Sequence, residues 1–474
     1  MLNQLLKYCH KFWNAIGFEF GTEIIEGESK MQKCDILVRN VRVLTPQYDI
    51  ADDQYIAICD NKIVAVGNDS QCLFASDTII RGNGKLAMPG LVDSHVHACQ
   101  YLLRGRLADE YPMVWTRILV PFESSLTERE CYISGKLTYL QQIKSGITTG
   151  IEAGGNHMHS VAEAAIESGI RAVLTRSTMD QGAFIPASWQ QTANECISRT
   201  EALYRDYNGA GDGRLQVWYA MRQIMSCSPA LLEAIAARSA ELGVGVHAHL
   251  AEHKDEISYC LQNFKKRPIE VLEQFGLANE RLVCAHNVLL SERDMDLLAQ
   301  CGARLCHCPR ANLGNHGIPK TPALLNRGIS IGIGSDGASG CNLDLFEELR
   351  LLRFTVQASQ GLAIFDPVVL TIKELLNMLI WGGARAARME DRIGRIQEGY
   401  LADIILINVM QPHIWPTSSL INVLVEGVRA SDVTDSIING KVVMRNREVL
   451  TLDEEKILHD AETYRQEIFS RINV

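Results

Sequence analysis

The chain has 474 residues, of which 47% are hydrophobic and 22% charged, a composition typical of a globular protein with a sizeable core. Its 46 Lys plus Arg against 56 Asp plus Glu give a net charge of −10, which argues against nucleic acid or an anionic membrane surface as a partner. The length would allow several domains, although a single α/β barrel can hold about 250 residues or more. The 14 cysteines lack regular spacing, which predicts reduced thiols and a cytoplasmic protein.

Residues 1–30 are predicted to form an N-terminal extension. Their apolar residues recur at helical spacing, with Lys7, His10 and Lys11 between them. They lack the uninterrupted apolar stretch and cleavage site of a signal peptide, and the arginines of a mitochondrial presequence. We therefore expect an amphipathic helix or a loosely ordered extension. Since no segment reaches about 18 uninterrupted apolar residues, no membrane span is expected.

Both flanks of the chain have the pattern of short strands. Residues 34–45 and 54–67 are rich in alternating apolar residues, with Asp60-Asn61 as a turn between two strands. Residues 402–409, 422–428 and 435–444 have the same texture, and Asn439-Gly440 is a strong hairpin signal. We predict one composite β-sandwich from residues 31–88 and 389–450, followed by a C-terminal helix in residues 451–474.

The middle of the chain, residues 89–388, alternates strands with helices. Capping-box spacings at Thr127 and Ser160 predict two helix starts, and the pairs Ser228-Pro229 and Thr321-Pro322 predict two more. Eight strand-like apolar runs lie between the helices, at residues 91–97, 147–154, 170–177, 215–221, 244–252, 281–287, 303–309 and 329–337. Eight such runs separated by helices predict a (β/α)8 TIM barrel rather than an open sheet.

Ionisable side chains stand at or near the carboxyl ends of four of these strands, where a barrel places its active site. They are His95, His97, His249, Glu252, His286 and Asp336. Residues two apart on a strand face the same side, so His95 and His97 point together. Imidazole nitrogens and a carboxylate suit Zn²⁺ or Fe²⁺. The alternative is a set of buried, hydrogen-bonded polar residues without a metal, but burying so many ionisable groups without a ligand would be costly.

Five segments carry a resemblance to a known family. They are MPGLVDSHVHACQYLLRG, HAHLAE, AHNVLL, GIGSDGAS and GRIQEGYLADIILI. In this order and spacing they resemble the amidohydrolase superfamily, from about residue 35 to residue 443. More narrowly they resemble the branch that acts on amino-substituted N-heterocycles, which includes adenosine-type, S-adenosylhomocysteine, guanine and pterin deaminases and triazine hydrolases. The fold that the resemblance implies is a barrel with a composite sandwich, as the strand pattern predicts.

The resemblance also implies roles for individual residues. It makes His95, His97, His249 and Asp336 ligands of one divalent metal per subunit, Zn²⁺ or Fe²⁺. It makes Glu252 the proton shuttle, His286 a catalytic residue beside the metal-bound water, and Asp336 a proton acceptor as well as a ligand. His247 is expected to support or pack against this set. The fourth strand lacks the carbamylated lysine that bridges two metals in other branches, so a mononuclear site is expected.

The function implied is hydrolytic deamination of an amino-substituted N-heterocycle of purine or nucleoside, pterin or triazine type, with release of ammonia. A triazine-type hydrolase that expels chloride or an alkylamine is the alternative, and a non-catalytic assembly barrel is a further one. Retention of both Glu252 and Asp336 favours deamination. The expected partner is a small heterocyclic substrate, and the expected assembly is a homodimer or homotetramer.

Several residues are candidates for substrate contact. Glu123 and Arg176 match positions that contact substrate in the deaminases of this branch, and Gln100 could read the edge of a base. Arg222 and Gln223 stand where the nucleoside deaminases tend to have a Pro-His-Ser segment, a departure that puts adenosine-type specificity in doubt. The seventh-strand segment also lacks a usual lysine. Four histidines are further candidates, namely His157, His159, His307 and His316.

Overall fold

The computed structural model describes residues 31–110, 114–340, 343–366 and 368–472, so the predicted extension at residues 1–30 lies outside the described residues. The N-terminal flank consists of short strands, and Asp60, with φ of 51°, makes the turn predicted between two of them. These strands are β1 (Gln32–Lys33), β2 (Ile36–Leu44), β3 (Ile50–Cys59), β4 (Lys62–Asn68), β5 (Phe74–Ala75), β6 (Thr78–Arg81) and β7 (Lys85–Pro89).

Each of the eight predicted runs in the middle of the chain contains a strand. They are β8 (Leu91–His97), β9 (Ile147–Glu152), β10 (Arg171–Leu174), β11 (Leu215–Val217), β12 (Tyr219–Met221), β13 (Val246–Leu250), β14 (Leu282–His286), β15 (Arg304–His307), β16 (Ile331–Ile333) and β17 (Asp336–Gly337). They form two parallel five-stranded sheets, ordered β11-β10-β9-β8-β17 and β12-β13-β14-β15-β16. The fourth and eighth runs each supply a strand to both sheets. The result is a TIM-barrel-like α/β fold.

Helices connect these strands and cover the sheets. Their bounds are Val120–Ser125, Glu128–Lys144, Met158–Ser168, Ala193–Tyr207, Pro229–Leu242, Lys254–Phe264, Pro268–Gln274, Glu292–Cys301, Pro309–Asn315, Thr321–Leu325, Leu345–Val356, Ile372–Asn377 and Gly383–Ala386. The predicted caps Thr127 and Ser228 are confirmed. The predicted start at Ser160 is wrong, because the helix begins at Met158, which is buried in the core, and Thr321 lies inside its helix with Lys320 as the cap.

The C-terminal flank completes a nine-stranded sheet with the N-terminal one. Its strands are β18 (Ile404–Asn408), β19 (Val433–Ile438), β20 (Lys441–Arg445) and β21 (Glu448–Val449). The order is β21-β20-β19-β18-β7-β2-β3-β4, with β6 beside β2, and antiparallel pairing of β7 with β18 joins the two flanks. The predicted hairpin at Asn439-Gly440 is confirmed, since both residues have the positive φ that such a turn requires. A second layer, as in a sandwich, stays a prediction.

The predicted strand at residues 422–428 is wrong, because this segment belongs to the helix Leu420–Glu426. The Ser419 side chain accepts a hydrogen bond from the backbone N–H of Asn422 and caps the helix. Leu420, Leu424 and Val425 are buried at helical spacing, so tertiary packing overrides the strand preference of the two valines. The last helix is Glu454–Arg471, within the predicted helical segment. No helix in the described parts of the chain is both long enough and apolar enough to cross a membrane.

A buried ion pair ties the parallel strands to the flanking sheet. Arg171 of β10 makes two hydrogen bonds to the carboxylate of Asp403, at 2.7 and 3.0 Å, and both side chains are almost fully buried. Asn439 accepts a hydrogen bond from Arg171, and its backbone N–H donates to Asp403. This network lies near the amino end of β10, which leaves the carboxyl ends of the strands open.

Candidate metal centre and active site

Three histidines and one aspartate converge at the carboxyl ends of the parallel strands. His97 Nε2 lies 3.2 Å from His249 Nε2, and Asp336 Oδ1 lies 3.4 Å from His95 Nε2 and 3.7 Å from His97 Nε2. Two ligands bound tetrahedrally to one zinc ion at about 2.1 Å would lie about 3.4 Å apart. The spacing of the four groups therefore suits one cation.

Buried nitrogens without partners support the same reading. Within the described residues, His95 Nε2 and His286 Nε2 are buried and make no hydrogen bond. Leaving buried polar atoms unpaired is costly, so these two nitrogens are best explained by a ligand or water between them. His286 belongs with His95 and His249 to a group whose ligand atoms lie within 4.8 Å of one another. The donor set fits a divalent metal.

The far sides of the imidazole rings are held by hydrogen bonds. His95 Nδ1 lies 3.0 Å from His247 Nε2, with the two rings stacked, so His247 supports His95 as expected for it. His286 Nδ1 lies 3.0 Å from Asn312 Nδ2. Because each contact occupies Nδ1, it leaves Nε2 of both rings turned toward the converging group.

Burial keeps His97, His249 and His286 in the neutral form that binds metal. It lowers the pKa of His97 and His249 well below the ordinary value, and the charge of Arg222 and the neighbouring histidines add to the effect. The pKa of His286 is also lowered, mainly by burial. For Asp336, burial opposes ionisation, but the nearby imidazoles of His95 and His286 outweigh it, so its pKa lies below the ordinary value. The site thus offers neutral imidazoles and a carboxylate.

The strand ends that carry these side chains have unusual backbone conformations. Ala251, His286, Asn287 and Asp336 all have positive φ, between 51° and 74°. For residues other than glycine this costs about 1–3 kcal/mol each and occurs preferentially at functional sites. Hydrogen bonds from Asn287 N to Leu250 O and from Val288 N to Ala251 O hold the ends of β13 and β14 in this form.

Glu252 lies just beyond β13, beside the converging group. Its Oε1 is 3.8 Å from His286 Nε2 and 3.0 Å from His316 Nε2, and its Oε2 accepts a hydrogen bond from Gln223 Nε2 at 2.9 Å. Burial would raise the pKa of Glu252, but the nearby imidazole of His286 and the hydrogen bond with His316 outweigh burial and lower it. Glu252 is therefore an oriented carboxylate at the edge of the site.

A cavity of about 1080 Å³ opens above these residues. This is just above the usual range for small-molecule sites, about 300–1,000 Å³. His97, His249, Glu252, His286 and Asp336 line its floor. Its apolar wall consists of Leu107, Ala108, Val114, Trp115, Leu119 and Leu289. A flat heterocycle with a further substituent would fit such a space.

Of the predicted substrate residues, Gln100 and Arg222 line the cavity, whereas Glu123 lies beneath them. Arg222 Nη1 and Nη2 donate to the two carboxylate oxygens of Glu123, each at 3.1 Å, and Gln100 Nε2 donates to Glu123 Oε1 at 2.6 Å. Both members of the ion pair are buried. The carboxylate of Glu123 therefore accepts hydrogen bonds from Arg222 and Gln100, and Glu123 does not line the cavity.

Gln223 and Arg176 are placed differently from each other. Gln223 lines the cavity, but its amide is engaged by Glu252 and by His253, which lies 3.1 Å from the amide oxygen. Arg176 does not line the cavity; it is buried and bonded to Gln191 and Asn156, and burial lowers its pKa to about 10. The assignment of these residues to substrate contact stays a prediction.

Among the four further histidines, only His316 lines the cavity. His157 precedes the helix Met158–Ser168, and His159 lies within it, half exposed and 3.4 Å from Asp206. His307 is buried behind the site, with Nδ1 3.0 Å from the backbone oxygen of His286.

The cavity also includes residues that the sequence did not single out. Trp115 forms part of the apolar wall and packs against Phe184, with ring centroids 4.9 Å apart. Arg104, His253 and Arg310 line it as well. All four follow strand ends or lie in the segments just beyond them, which is the one signal in the sequence that could have found them.

Comparison with known proteins gives one family match and many relatives. The model of the amidohydrolase family matches residues 86–443. A 5-methylthioadenosine/S-adenosylhomocysteine deaminase from Pelotomaculum thermopropionicum is 35% identical over 436 residues, covering 90% of this chain and 97% of the relative. A protein of the same name from Desulforudis audaxviator is 36% identical over 434 residues, again covering 90% and 97%.

Solved structures with the same fold include enzymes of several specificities. An adenosine deaminase from Xanthomonas campestris with bound zinc superposes with a TM-score of 0.86 at 26% identity, covering 93% of this chain and 99% of that one. An atrazine chlorohydrolase from Arthrobacter aurescens has a TM-score of 0.83 at 24% identity, covering 91% and 100%. At that lower identity the likeness concerns the fold alone.

Proposed function

Since the chain belongs to the amidohydrolase family, we propose that it is a mononuclear metal-dependent hydrolase that deaminates an amino-substituted N-heterocycle. The family expected from the sequence motifs is confirmed, as is the class of hydrolase acting on carbon–nitrogen bonds, to which the relatives belong by name. The observation that carries the proposal is the convergence of His95, His97, His249 and Asp336, with Glu252 beside them.

In this proposal those three histidines and Asp336 hold one divalent ion, with zinc favoured over iron. Support comes from the neutral imidazoles and from the zinc in the adenosine deaminase of similar fold. When bound, such an ion supplies a water molecule whose pKa it lowers toward neutrality. The absence of a lysine from β11 and β12 supports a single ion rather than two.

The side chains around this position divide the proton transfers among them. Asp336 faces the point where the nucleophile would stand and is suited to accept its proton, whereas His286, whose Nδ1 accepts a hydrogen bond from the Asn312 amide, presents Nε2–H there and is suited to hold the nucleophile in place. Glu252, on the cavity side and ionised before the reaction, is suited to take one proton of the nucleophilic water and deliver it to the ring nitrogen beside the reacting carbon, after which the proton held by Asp336 can pass through Glu252 to the departing amine. The short distance of 3.8 Å between His286 Nε2 and Glu252 Oε1 keeps both groups at one reacting centre.

For the substrate we propose an aminopurine nucleoside, by analogy with relatives that share about a third of their residues with this chain. The size of the cavity and its apolar wall with Trp115 support a base that carries a substituent. Arg222, which stands where the nucleoside deaminases tend to have a Pro-His-Ser segment and which lines the cavity, favours a substrate with an acceptor group beside it, since a guanidinium only donates hydrogen bonds.

The proposal extends to the architecture around the site. We take β8 to β17 as one closed (β/α)8 barrel, because β11 is separated from β12 by one residue and β16 from β17 by two. The flanking sheet would be the larger layer of the composite sandwich. A homodimer or homotetramer is the expected assembly, which light scattering would test.

The deciding experiment is ammonia release from a panel of aminated nucleosides, purines, pterins and triazines, with zinc-loaded protein. We expect turnover of at least one aminopurine nucleoside. Release of chloride or an alkylamine from triazines, without ammonia from any member, would favour the triazine hydrolase instead. A protein that binds no metal and releases none of these products would refute the enzymatic proposal.

A further inference from the structure

Glu252 is held through both of its carboxylate oxygens. His316 Nε2 lies 3.0 Å from Oε1, and Gln223 Nε2 lies 2.9 Å from Oε2. An ionised carboxylate only accepts hydrogen bonds, so both partners must donate. The contact of the Gln223 amide oxygen with His253 Nε2 determines which end of that amide faces Glu252. The carboxylate plane is therefore defined from two sides.

The position of His316 links it to the other proton-handling group. It directly follows the helix Pro309–Asn315, and its backbone N–H donates to Asn312 O at 2.7 Å. The Asn312 side chain contacts His286 Nδ1, so one short helix orients both Glu252 and His286. Asn315 Nδ2 also lies 3.1 Å from His316 Nε2. An amide N–H can donate only to an unprotonated ring nitrogen, whereas the contact with Glu252 requires Nε2 to carry a proton. When His316 donates to Glu252, it therefore makes no hydrogen bond with Asn315.

We infer that His316 is a positioning residue for the proposed deamination, one that fixes the carboxylate of Glu252 for proton transfer. The inference rests on the proposed function. Each carboxylate oxygen has two acceptor directions, so the bonds to His316 and Gln223 still leave one direction on each oxygen for a substrate or water. Without His316, the carboxylate keeps Gln223 alone and can turn about its last side-chain bond. A misplacement of about 1 Å at a reacting group costs about 100-fold in rate.

The test compares three variants with the parent enzyme on its best substrate. His316→Leu removes the donor, and we expect kcat to fall about 10- to 100-fold with KM and metal content nearly unchanged. His316→Gln retains an N–H donor at similar reach and should restore most of kcat. His159→Leu is the matched control, because His159 lies on an outer helix and its loss should leave kcat at the parent value.

Two kinetic results would overturn the inference while leaving the proposed function intact. One is full kcat in His316→Leu; the other is a rise in KM without a fall in kcat, which would make His316 a substrate contact. An activity-independent readout is a double-mutant cycle of His316→Leu with Glu252→Gln in the urea midpoint of unfolding. We expect the decrease in the urea midpoint for the double variant to be smaller than the sum of the decreases for the two single variants. A decrease equal to that sum would mean that the contact is not made. Absence of turnover by the parent enzyme on every substrate would instead refute the proposed function.

Discussion

The pair of Arg222 and Glu123 offers a quantitative test of how the cavity floor is built. Its two parallel hydrogen bonds are both 3.1 Å long, and the side chains are 2% and 0% exposed. Removing one partner of such a pair leaves an uncompensated buried charge, at a cost of about 3–5 kcal/mol. Arg222→Met should therefore lower the free energy of unfolding by about that amount, because Gln100 alone remains bonded to Glu123.

The double variant Arg222→Met/Glu123→Gln removes both charges while keeping the side-chain shapes similar. We expect it to be more stable than Arg222→Met alone, with a coupling energy of about 2 kcal/mol or more. The assay is urea unfolding of the zinc-loaded protein, followed by circular dichroism at one protein concentration. The matched control is the exposed pair of Arg465 with Glu462, whose two hydrogen bonds are both 2.8 Å long. The substitutions Arg465→Met and Glu462→Gln should show a much smaller coupling energy.

Additive losses at the buried pair, no larger than at the exposed one, would refute this reasoning. The same variants address specificity. Since Arg222 lines the cavity, Arg222→Met should change the ratio of kcat/KM between substrates while metal content stays constant. An equal loss on all substrates would count against a specificity function for Arg222.

Three further predictions concern the proton shuttle, the metal and pH. Glu252→Gln removes the shuttle but no proposed ligand, so we expect full metal content, by elemental analysis, with turnover reduced about 100- to 10,000-fold; unchanged turnover would contradict the assignment. Removing the metal with a chelator should abolish ammonia release and, for a metal at about 1,000 times its Kd, lower unfolding stability by about 4 kcal/mol, both restored by zinc. Burial raises the pKa of Glu152 from 4.5 to about 8, so between these two pH values the folded chain holds a proton on Glu152 that the unfolded chain has lost. The free energy of unfolding should therefore fall as pH rises from about 4.5 to about 8. Glu152→Gln should flatten that slope by up to about 1.4 kcal/mol per pH unit, and an unchanged slope would show that Glu152 titrates normally.

Much of the fold could be predicted because parallel strands buried on both faces appear as continuous apolar runs. All seven residues of β8 are buried, including Asp93, His95 and His97, and the run is recognisable from its sequence alone. Gly169, Gly243 and Gly302 each end a helix with positive φ, a position that glycine favours and that is therefore also visible in the sequence. The error at residues 422–428 arose where a short apolar run suits either a strand or a helix, and only packing decides.

The convergence of the proposed metal ligands was predictable for a related reason. A strand end places its side chains at one rim of the barrel, so His95, His249 and Asp336 could be grouped without knowing their distances. The pairing of buried charges could not be predicted in this way. Arg222 lies 99 positions from Glu123, and no local pattern indicates that these two charges meet beneath the cavity.

By itself the sequence determined the strand and helix succession, the family and the set of ionisable residues at the strand ends. The tertiary structure decided how those residues are used: it paired Glu123 with Arg222, placed His316 against Glu252, and left Arg176 outside the cavity. The physical reason is one of range. Apolar periodicity and capping act within a few residues and are visible in one segment, whereas hydrogen bonds between side chains depend on loops from different strands meeting to within about 3 Å.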